Sequence, residues 1–177
     1  MRIEPATTAD AAAIAAIYAH HVLHGTASFE TEPPSAAEMA ARLAKALDSG
    51  GVWLVARGAV DGELLGYAYA GLFRERPAYR YACENSVYIR HDRRGEGVGR
   101  ALLALLIVAA ERAGFRQMIG VIADAQPASV RLHAACGFKE AGRMRSVGRK
   151  HGEWHDTYYM QRSLGAGDST PPEIEPA

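Results

Sequence analysis

Hydrophobic residues recur along this chain with two different periods, and the alternation between the two periods predicts the order of its elements. Residues 8–24 and 35–49 carry apolar positions three and four residues apart, which is typical of helices with one buried face. Residues 52–57 and 64–72 are short apolar runs bounded by turn residues, which is typical of strands. Continued along the chain, the pattern predicts the order β-α-α-β-β-β-α-β-α-β-β. That order indicates an α/β (α+β) domain with a mixed, mostly antiparallel sheet and helices on both faces.

Polar residues mark several element ends in the first half of the chain. Thr8 or Asp10 is placed to cap the first helix. Ser35 precedes the second helix, and Glu38 lies three residues after Ser35, which is the spacing of a capping box. Asp-Gly at the centre of residues 60–63 predicts a turn that joins two strands into a hairpin.

In the second half, Gly114 predicts the end of a long helix and residues 116–123 a strand. A short helix at 129–136 and a last strand at 154–162 follow, with a strand between them that opens at Phe138. Residues 143–152 are basic and are predicted to be irregular. Residues 165–177 are small, acidic and proline-rich, which predicts a disordered tail behind a domain that spans residues 1–164.

The composition narrows the class of protein. The chain has 177 residues, which suits one domain, and its 20 Lys and Arg balance its 20 Asp and Glu. This balance argues against nucleic acid as the main partner. The longest apolar run, 101–110, is too short to span a bilayer, and the first ten residues lack the apolar core of a signal peptide. We therefore expect a cytoplasmic protein that does not bind membranes.

Metal binding is not predicted. Cys83 and Cys136 have neither the spacing of a zinc site nor that of a disulfide framework. His20, His21 and His24 could share a metal ion, but no third carboxylate or cysteine is spaced to join them. We expect these histidines to be exposed or hydrogen-bonded on a helix.

The stretch from residue 84 to residue 114 carries the strongest signal for a binding site. A strand-like run, 86–89, leads through a polar turn into the glycine loop 95–99 and then into a helix rich in Leu and Ala. Such a loop directs backbone N–H groups and a helix dipole at one point, which favours phosphate. The Walker pattern is absent, and Arg100 stands where GxGxxG requires a glycine. An ordinary flexible turn is the alternative interpretation.

The pattern Arg94-x-x-Gly97-x-Gly99 between strand and helix resembles the acetyl-CoA pyrophosphate loop of the GNAT superfamily of N-acetyltransferases. Four further motifs, AYAG (68–71), ENSVYI (84–89), SVRLHAACGF (129–138) and KHGEWHD (150–156), are similar to its phosphinothricin and methionine sulfoximine N-acetyltransferase branch. The resemblance covers residues 2–163. It implies the GNAT fold, a seven-stranded sheet flanked by about four helices and splayed between its two central parallel strands. It also implies acetyl-CoA as cosubstrate, no metal, and a homodimer.

The resemblance implies a set of cofactor-binding residues. The pantetheine arm is expected to pair with the strand 87–89, where the N–H of Val87 or Tyr88 would face the thioester oxygen, and the pyrophosphate is expected on the amides of 95–100. Gln126 stands where related enzymes usually carry Asn. The predicted cofactor-binding residues are Val87, Tyr88, Ile89, Arg94, Gly95, Glu96, Gly97, Val98, Gly99, Arg100, Gln126 and Ser129.

Two residues are predicted to be catalytic. Glu84 is the expected general base, directly or through a water. An ordinary Glu has a pKa of about 4.3 and is a weak base, but burial would raise its pKa. A carboxylate paired with an arginine such as Arg80 is the alternative. His133 stands where many GNAT enzymes carry a tyrosine that protonates the leaving thiolate, so we expect an acid, a second base, or a packing histidine.

The acceptor side is expected to involve two loops. Phe29 lies in the loop 25–34, and Arg74, Arg76 and Tyr79 lie in the basic, aromatic segment 73–81. The resemblance implies that the latter segment binds an amino-acid-like acceptor, whose carboxylate or phosphinate suits arginine. A solvated surface loop and a loop-anchoring aromatic residue are the alternatives.

Three functions therefore remain open. The first is acetylation of the α-amine of a small acceptor of the phosphinothricin or methionine sulfoximine/sulfone type. The second keeps the reaction but takes a protein N-terminus or another amine as acceptor. The third is a CoA-binding module without catalysis.

Overall fold

The computed structural model describes residues 1–173, and its elements follow the predicted order. Within these residues the chain forms four α-helices and seven strands. The helices are α1 (Ala11–His24), α2 (Ala36–Asp48), α3 (Val98–Arg112) and α4 (Pro127–Ala135). The strands are β1 (Arg2–Pro5), β2 (Val52–Arg57), β3 (Leu64–Leu72), β4 (Ala82–Ile89), β5 (Gln117–Ala123), β6 (Lys139–Lys150) and β7 (Glu153–Ser163).

The strands of the described chain form one sheet in the order β1-β2-β3-β4-β5-β7-β6. Neighbouring strands run antiparallel except β4 and β5, which are parallel. Their ladder extends from the pair Ala82–Gln117 to the pair Asn85–Gly120. Beyond that pair the two strands diverge, which confirms the predicted splay. We call the opening between them the fork.

Two apolar cores lie on opposite faces of the sheet, as predicted. On one face Leu102 and Leu106 of α3 are fully buried against the sheet, together with Met118 of β5. On the other face Ile14 of α1 and Leu43 of α2 are fully buried. Burying such side chains contributes about 1.5–3 kcal/mol each to folding, so each helix pair is held on its own face by its apolar stripe.

The glycine loop before α3 depends on two left-handed backbone positions. Gly95 and Gly97 have φ angles of +83° and +80°, a region that other residues rarely adopt. Gly97 is the residue directly before the helix, so the loop turns sharply and α3 begins at Val98. The sequence of strand, glycine loop and helix is therefore confirmed in the structure.

The helix caps in the first half differ in part from the prediction. Ser35 Oγ accepts from the Glu38 N–H at 3.2 Å, as the capping box predicts. At the first helix neither Thr8 nor Asp10 caps with its side chain. Instead the Asp10 carboxylate accepts the backbone N–H of Thr7 at 2.8 Å and forms an ion pair with Arg57. The reason is that a 3-10 turn, Thr8–Asp10, precedes α1. The Asp10 carboxylate closes the capping box of that turn at Thr7 and pairs with Arg57 of β2.

The prediction that residues 143–152 are irregular was wrong, because β6 runs through most of this segment. Pairing with β7 organises it, and two interruptions in the register, at 140–142 and 144–148, absorb its irregularity. Ser146 lies in the second interruption with a φ of +52°. The local sequence reflects the irregular bulge residues, whereas the pairing with β7 that makes the segment a strand depends on residues outside it.

The start of the predicted tail contacts the domain. The Arg116 guanidinium donates to the carbonyl of Gly167 at 3.2 Å and to the carbonyl of Pro171 at 3.1 Å. The domain boundary at residue 164 stays a prediction, and residues 174–177 of the tail lie outside the described residues. In residues 1–173 every helix is too short or too polar to cross a membrane.

Candidate active site

Beyond Asn85, the edge of β4 that faces β5 has no hydrogen-bond partners from that strand. Ala82 and Arg90 both bond to β3, because Ala82 accepts from the N–H of Phe73 at 3.0 Å and Arg90 donates to the carbonyl of Leu65 at 2.9 Å. The β3–β4 register is regular between them. Backbone groups alternate sides along a strand, so the N–H of Val87, and not that of Tyr88, faces the fork.

The carbonyl of Ile89, which lies on the same edge of β4, has a partner within the protein. Nε2 of His21 lies 2.9 Å from the carbonyl oxygen of Ile89 and donates to it. His21 is therefore a hydrogen-bonded helix residue, as expected, while His20 stacks on His91 with ring centroids 4.1 Å apart. Within the described residues no group of His, Cys, Asp or Glu is arranged to hold a metal ion. The N–H and carbonyl of Val87 and the N–H of Ile89 are the groups of this edge that remain available to a ligand.

A cavity of about 410 Å³ fills the fork and extends to the glycine loop. Most of the predicted cofactor-binding residues line it: Val87, Tyr88, Ile89, Arg94, Gly95, Gly97, Gly99, Arg100, Gln126 and Ser129. Two do not. Glu96 forms a salt bridge with Arg93 at 2.8 Å, and the side chain of Val98 is buried in the core below α3.

The glycine-loop end of this cavity suits an anion. The first turn of α3 presents backbone N–H groups that have no partner within the helix, and the helix dipole adds positive potential there. Arg94 and Arg100 contribute two charged side chains to the same lining. A phosphate group is the ligand chemistry that fits this end.

A second, smaller cavity of about 220 Å³ lies on the face of the sheet that carries α1 and α2. Its lining includes Glu84 together with Tyr18, Thr26, Ala27, Ser28, Phe29, Tyr69, Ser86, Tyr88, Val121, Ala123 and Thr157. The two cavities share Ala27, Ser86, Tyr88, Val121 and Ala123, so they meet at the fork. A ligand in one is therefore adjacent to a ligand in the other.

Glu84 lies in the smaller cavity with a perturbed carboxyl group. Burial raises the pKa of Glu84 above its ordinary value, and the positive charge of Arg74 opposes this rise. The expected direction is thus confirmed. The alternative, an ion pair between Glu84 and Arg80, is not formed among the described residues. A carboxylate with a raised pKa in a cavity is a candidate general base.

His133 lies in the wall of the larger cavity with both ring nitrogens in contact with the protein. Its Nδ1 donates to the carbonyl of Ser129 at 2.8 Å, and Nε2 lies 3.1 Å from Oδ1 of Asn85. The side chain is 5% exposed, and burial lowers its pKa. The sequence analysis left three roles for His133, namely an acid, a second base and a packing histidine. These contacts are those of a packing histidine.

Asn85 is a functional candidate that the sequence analysis missed. Its Nδ2 donates to the carbonyl of Ile119 at 3.0 Å, directly at the last pair of the parallel ladder. A Cβ on Gly120 would lie 2.8 Å from the His133 ring, so the three residues are closely packed at the base of the fork. A buried Asn within an apolar strand was the available signal, since such a side chain requires partners.

The predicted acceptor residues are distributed over three places. Phe29 lines the smaller cavity, and its ring packs on Gly148, where an added Cβ would lie 2.2 Å from it. Arg74 and Tyr79 line a neighbouring groove, in which the Arg74 guanidinium stacks 4.0 Å from the centre of the Phe73 ring. Arg76 is exposed on the surface. The structure thus brings Phe29 and Glu84 together, whereas Arg74 lines a different groove and acts on Glu84 through its charge.

Comparison with known proteins connects this geometry to a family. Residues 3–159 match the family model described as an acetyltransferase (GNAT) domain. The chain is 56% identical over 165 residues to a phosphinothricin N-acetyltransferase of Alcaligenes faecalis, covering 93% of this chain and 83% of the relative. It is 38% identical to an L-methionine sulfoximine/L-methionine sulfone acetyltransferase of Pseudomonas aeruginosa, covering 96% and 98%. The crystal structure of a phosphinothricin acetyltransferase from Sinorhizobium meliloti in complex with AcCoA superimposes with a TM-score of 0.94 at 46% identity, covering 97% and 92%.

Proposed function

This chain belongs to the GNAT acetyltransferase family, and we propose that it transfers the acetyl group of acetyl-CoA to the α-amine of a small amino-acid-like acceptor. The acceptor class is that of phosphinothricin and methionine sulfoximine or sulfone, as in the relatives. One observation carries the proposal. Glu84 lies in a small cavity that meets the larger, anion-suited cavity at the fork.

The larger cavity fits acetyl-CoA in shape and charge. Acetyl-CoA supplies an acetyl group activated as a thioester. The α3 N-terminus, with Arg94 and Arg100, holds the phosphates, and the free edge at Val87 holds the extended arm. The Val87 N–H donates to the oxygen that becomes negatively charged during transfer, and a fixed donor of this kind stabilises such charge.

Glu84 acts as the general base in this proposal. An amino-acid amine is mostly protonated near neutral pH and attacks only after it loses a proton. Burial raises the pKa of Glu84, which makes it a stronger base than an ordinary carboxylate, and the charge of Arg74 keeps this rise limited. Glu84 takes the proton directly or through one water. The neutral amine then attacks the acetyl carbon, the carbon–sulfur bond breaks, and the second proton lost from the nitrogen protonates the departing CoA thiolate.

His133 acts as a positioning residue in the proposed mechanism. Its contacts with Ser129 and Asn85 join α4 to the base of the fork. Since Ser129 and Gln126 line the same cavity, a displaced His133 ring would move that wall. This assignment selects the packing alternative over an acid or a second base.

The size of the smaller cavity favours a small acceptor over a polypeptide. About 220 Å³ between Glu84 and the loop that carries Phe29 holds an amino acid but not an extended peptide, which requires an open groove. Membership in an acetyltransferase family likewise favours an enzyme over a CoA-binding module without catalysis.

An acceptor panel tests the proposal. Release of the CoA thiol is measured with phosphinothricin, methionine sulfone, methionine and a peptide with a free N-terminus, using the wild-type protein and Glu84→Gln. We expect turnover with the amino-acid analogues that depends on Glu84. Turnover on the peptide alone, or no turnover with any amine, would contradict the proposal.

A homodimer in the cytoplasm completes the proposal. The edge strand β6 and its hairpin partner expose Met144, Val147 and Trp154, which are 45%, 51% and 62% accessible, and an apolar edge of this kind suits a second copy of the chain. Met144 also lines the groove beside Arg74. Both cysteines are free, which agrees with a reducing compartment. Light scattering of the purified protein measures the oligomeric state directly.

A further inference from the structure

A third cavity lies beside the smaller cavity, on the face of the sheet that carries α1 and α2. It has a volume of about 230 Å³, and we call it the side pocket. Its wall includes Met39 and Trp53, which belong to the apolar core of this face. Arg42 and Glu30 line it as well, and they form a salt bridge with each other at 2.7 Å. The side pocket is therefore mostly apolar, and its charged groups are paired.

The side pocket meets the smaller cavity next to Glu84. Tyr18 and Tyr69 line both cavities. Gly71 lines the side pocket and is the direct partner of Glu84 in the β3–β4 ladder. Residues directly opposite each other in an antiparallel pair point to the same face, with Cβ positions about 4.5–5.5 Å apart. A group that extends from Glu84 towards β3 therefore passes over Gly71 into the side pocket.

Neither packing nor backbone conformation requires a glycine at position 71. Its φ angle is not positive, and within the described chain an added Cβ would meet nothing within 4 Å. Gly66 of the same strand is different, since a Cβ there would lie 2.8 Å from the carbonyl oxygen of Tyr88. A glycine in a strand interior weakens the strand and often marks the close approach of a ligand. The missing side chain of Gly71 thus leaves space beside Glu84.

We infer that Gly71 is a specificity-determining residue, because its missing side chain lets the apolar part of the acceptor side chain enter the side pocket. This inference rests on the proposed function and deepens it. The acceptor amine faces Glu84, and the side chain extends over Gly71 to the aromatic wall. Burial of its methylene and methyl groups there favours binding. The ligand class is therefore an α-amino acid with an extended apolar side-chain stem, in preference to one with a short side chain.

The test compares methionine with alanine as acceptors. Both present the same amine and carboxylate, so an effect of a substitution on Glu84 cancels in the ratio of their kcat/KM values. In the wild-type protein we expect methionine to exceed alanine about tenfold or more, because its longer side chain is buried. Gly71→Val should bring this ratio close to one, since its side chain fills the opening. Valine suits a strand, so its Tm should equal or exceed that of the wild type.

A second variant fills the side pocket from the helix and leaves β3 unchanged. Ala46 of α2 lines the side pocket, and Ala46→Leu should lower the ratio of methionine to alanine as well. Ala41→Leu, at an exposed position of the same helix, is the matched control and should keep the wild-type ratio.

Three results would overturn the inference. They are a wild-type ratio near one, equal losses for methionine and alanine in Gly71→Val, and a wild-type ratio in Ala46→Leu. Failure of the wild-type protein to acetylate methionine or any other amine would instead contradict the proposed function itself, and the role of Gly71 with it.

Discussion

Nδ1 of His155 lies 2.7 Å from Oδ2 of Asp124. The other ring nitrogen, Nε2, lies 3.0 Å from the carbonyl oxygen of Lys150. Both neighbours are hydrogen-bond acceptors, so the ring satisfies both only when each nitrogen carries a proton. Asp124 follows the last residue of β5 with a φ of +49°, and it also accepts the N–H of Asp156 at 3.0 Å. A charged pair thus holds a strained turn between the fork and α4.

This pair predicts a pH-dependent contribution to stability. The bonds to the Lys150 carbonyl and to Asp124 raise the pKa of His155 above its ordinary value of 6.5. Since the folded-state pKa is raised, the stabilisation is fully present below the unfolded-state pKa and is lost as the pH rises through the folded-state pKa. Asp124→Asn should therefore lower Tm more at pH 6 than at pH 9.

Calorimetry at the two pH values measures this difference. Asp124→Asn in a His155→Gln background serves as control, because the further loss of Tm caused by Asp124→Asn should vary less with pH once the titrating ring is gone. An Asp124→Asn deficit that is the same at pH 6 and pH 9 would contradict a charged His155.

Replacing Glu84 with Gln should depress kcat about 100-fold or more, because general base catalysis contributes rate factors of this order. The acidic limb of the kcat/KM profile should disappear as well. In the wild-type protein that limb should lie above the ordinary carboxyl range, since burial raises the pKa of Glu84. Steady-state kinetics across pH give both readings. Glu75→Gln, at an exposed carboxylate nearby, is the matched control, and wild-type-like turnover of Glu84→Gln would eliminate this base.

Arg74→Ala should raise KM for acidic acceptors and change kcat much less, because a charged anchor acts mainly on binding. Arg74 lowers the pKa of Glu84, so its removal should also shift the acidic limb of the kcat/KM profile to higher pH. Arg76→Ala is the control, since Arg76 is exposed away from the cavities. Equal effects of the two substitutions on KM would show that Arg74 has no special role.

Gly97→Ala should weaken acetyl-CoA binding about tenfold without any steric clash. An added Cβ meets nothing within 4 Å, but the φ of +80° disfavours an L-residue by about 1–2 kcal/mol, and relaxation of the loop would redirect its N–H groups. Gly62→Ala shares this geometry, with a φ of +69° and open space, and lies in the β2–β3 turn. Both variants should lose some stability. Calorimetric titration with acetyl-CoA should show weaker binding for Gly97→Ala alone.

The sequence predicted those parts of the molecule that depend on local patterns. The loop Gly95–Gly99, its strand and its helix are defined by residues adjacent in sequence, and so is the order of the elements. The branch motifs pointed to Glu84, which lies in the smaller cavity. By contrast, residues 143–152 were not predicted as part of β6, because this strand is stabilised by pairing with β7. Its basic residues and its two bulges interrupt the apolar pattern that would indicate a strand.

Contacts between distant segments explain the remaining differences. Whether Val87 or Tyr88 faces the fork depends on the register with β3, which no local pattern contains. Asn85 acquires its hydrogen-bond partners from Ile119 and His133. This side chain is unremarkable in sequence, since its partners lie on a strand and a helix more than thirty residues away.

The parallel ladder that ends at Asn85 and Gly120 leaves the sheet split along part of its width. In the proposed complex, an extended arm bonded to the Val87 edge supplies backbone-like amide groups where the chain itself supplies none. The cosubstrate would then act as a temporary strand that continues the pairing between β4 and β5 beyond their ladder. Amide exchange of residues 86–89 and 121–123 should slow when CoA is added. The gap between β4 and β5 should be open again after every turnover, when CoA has left.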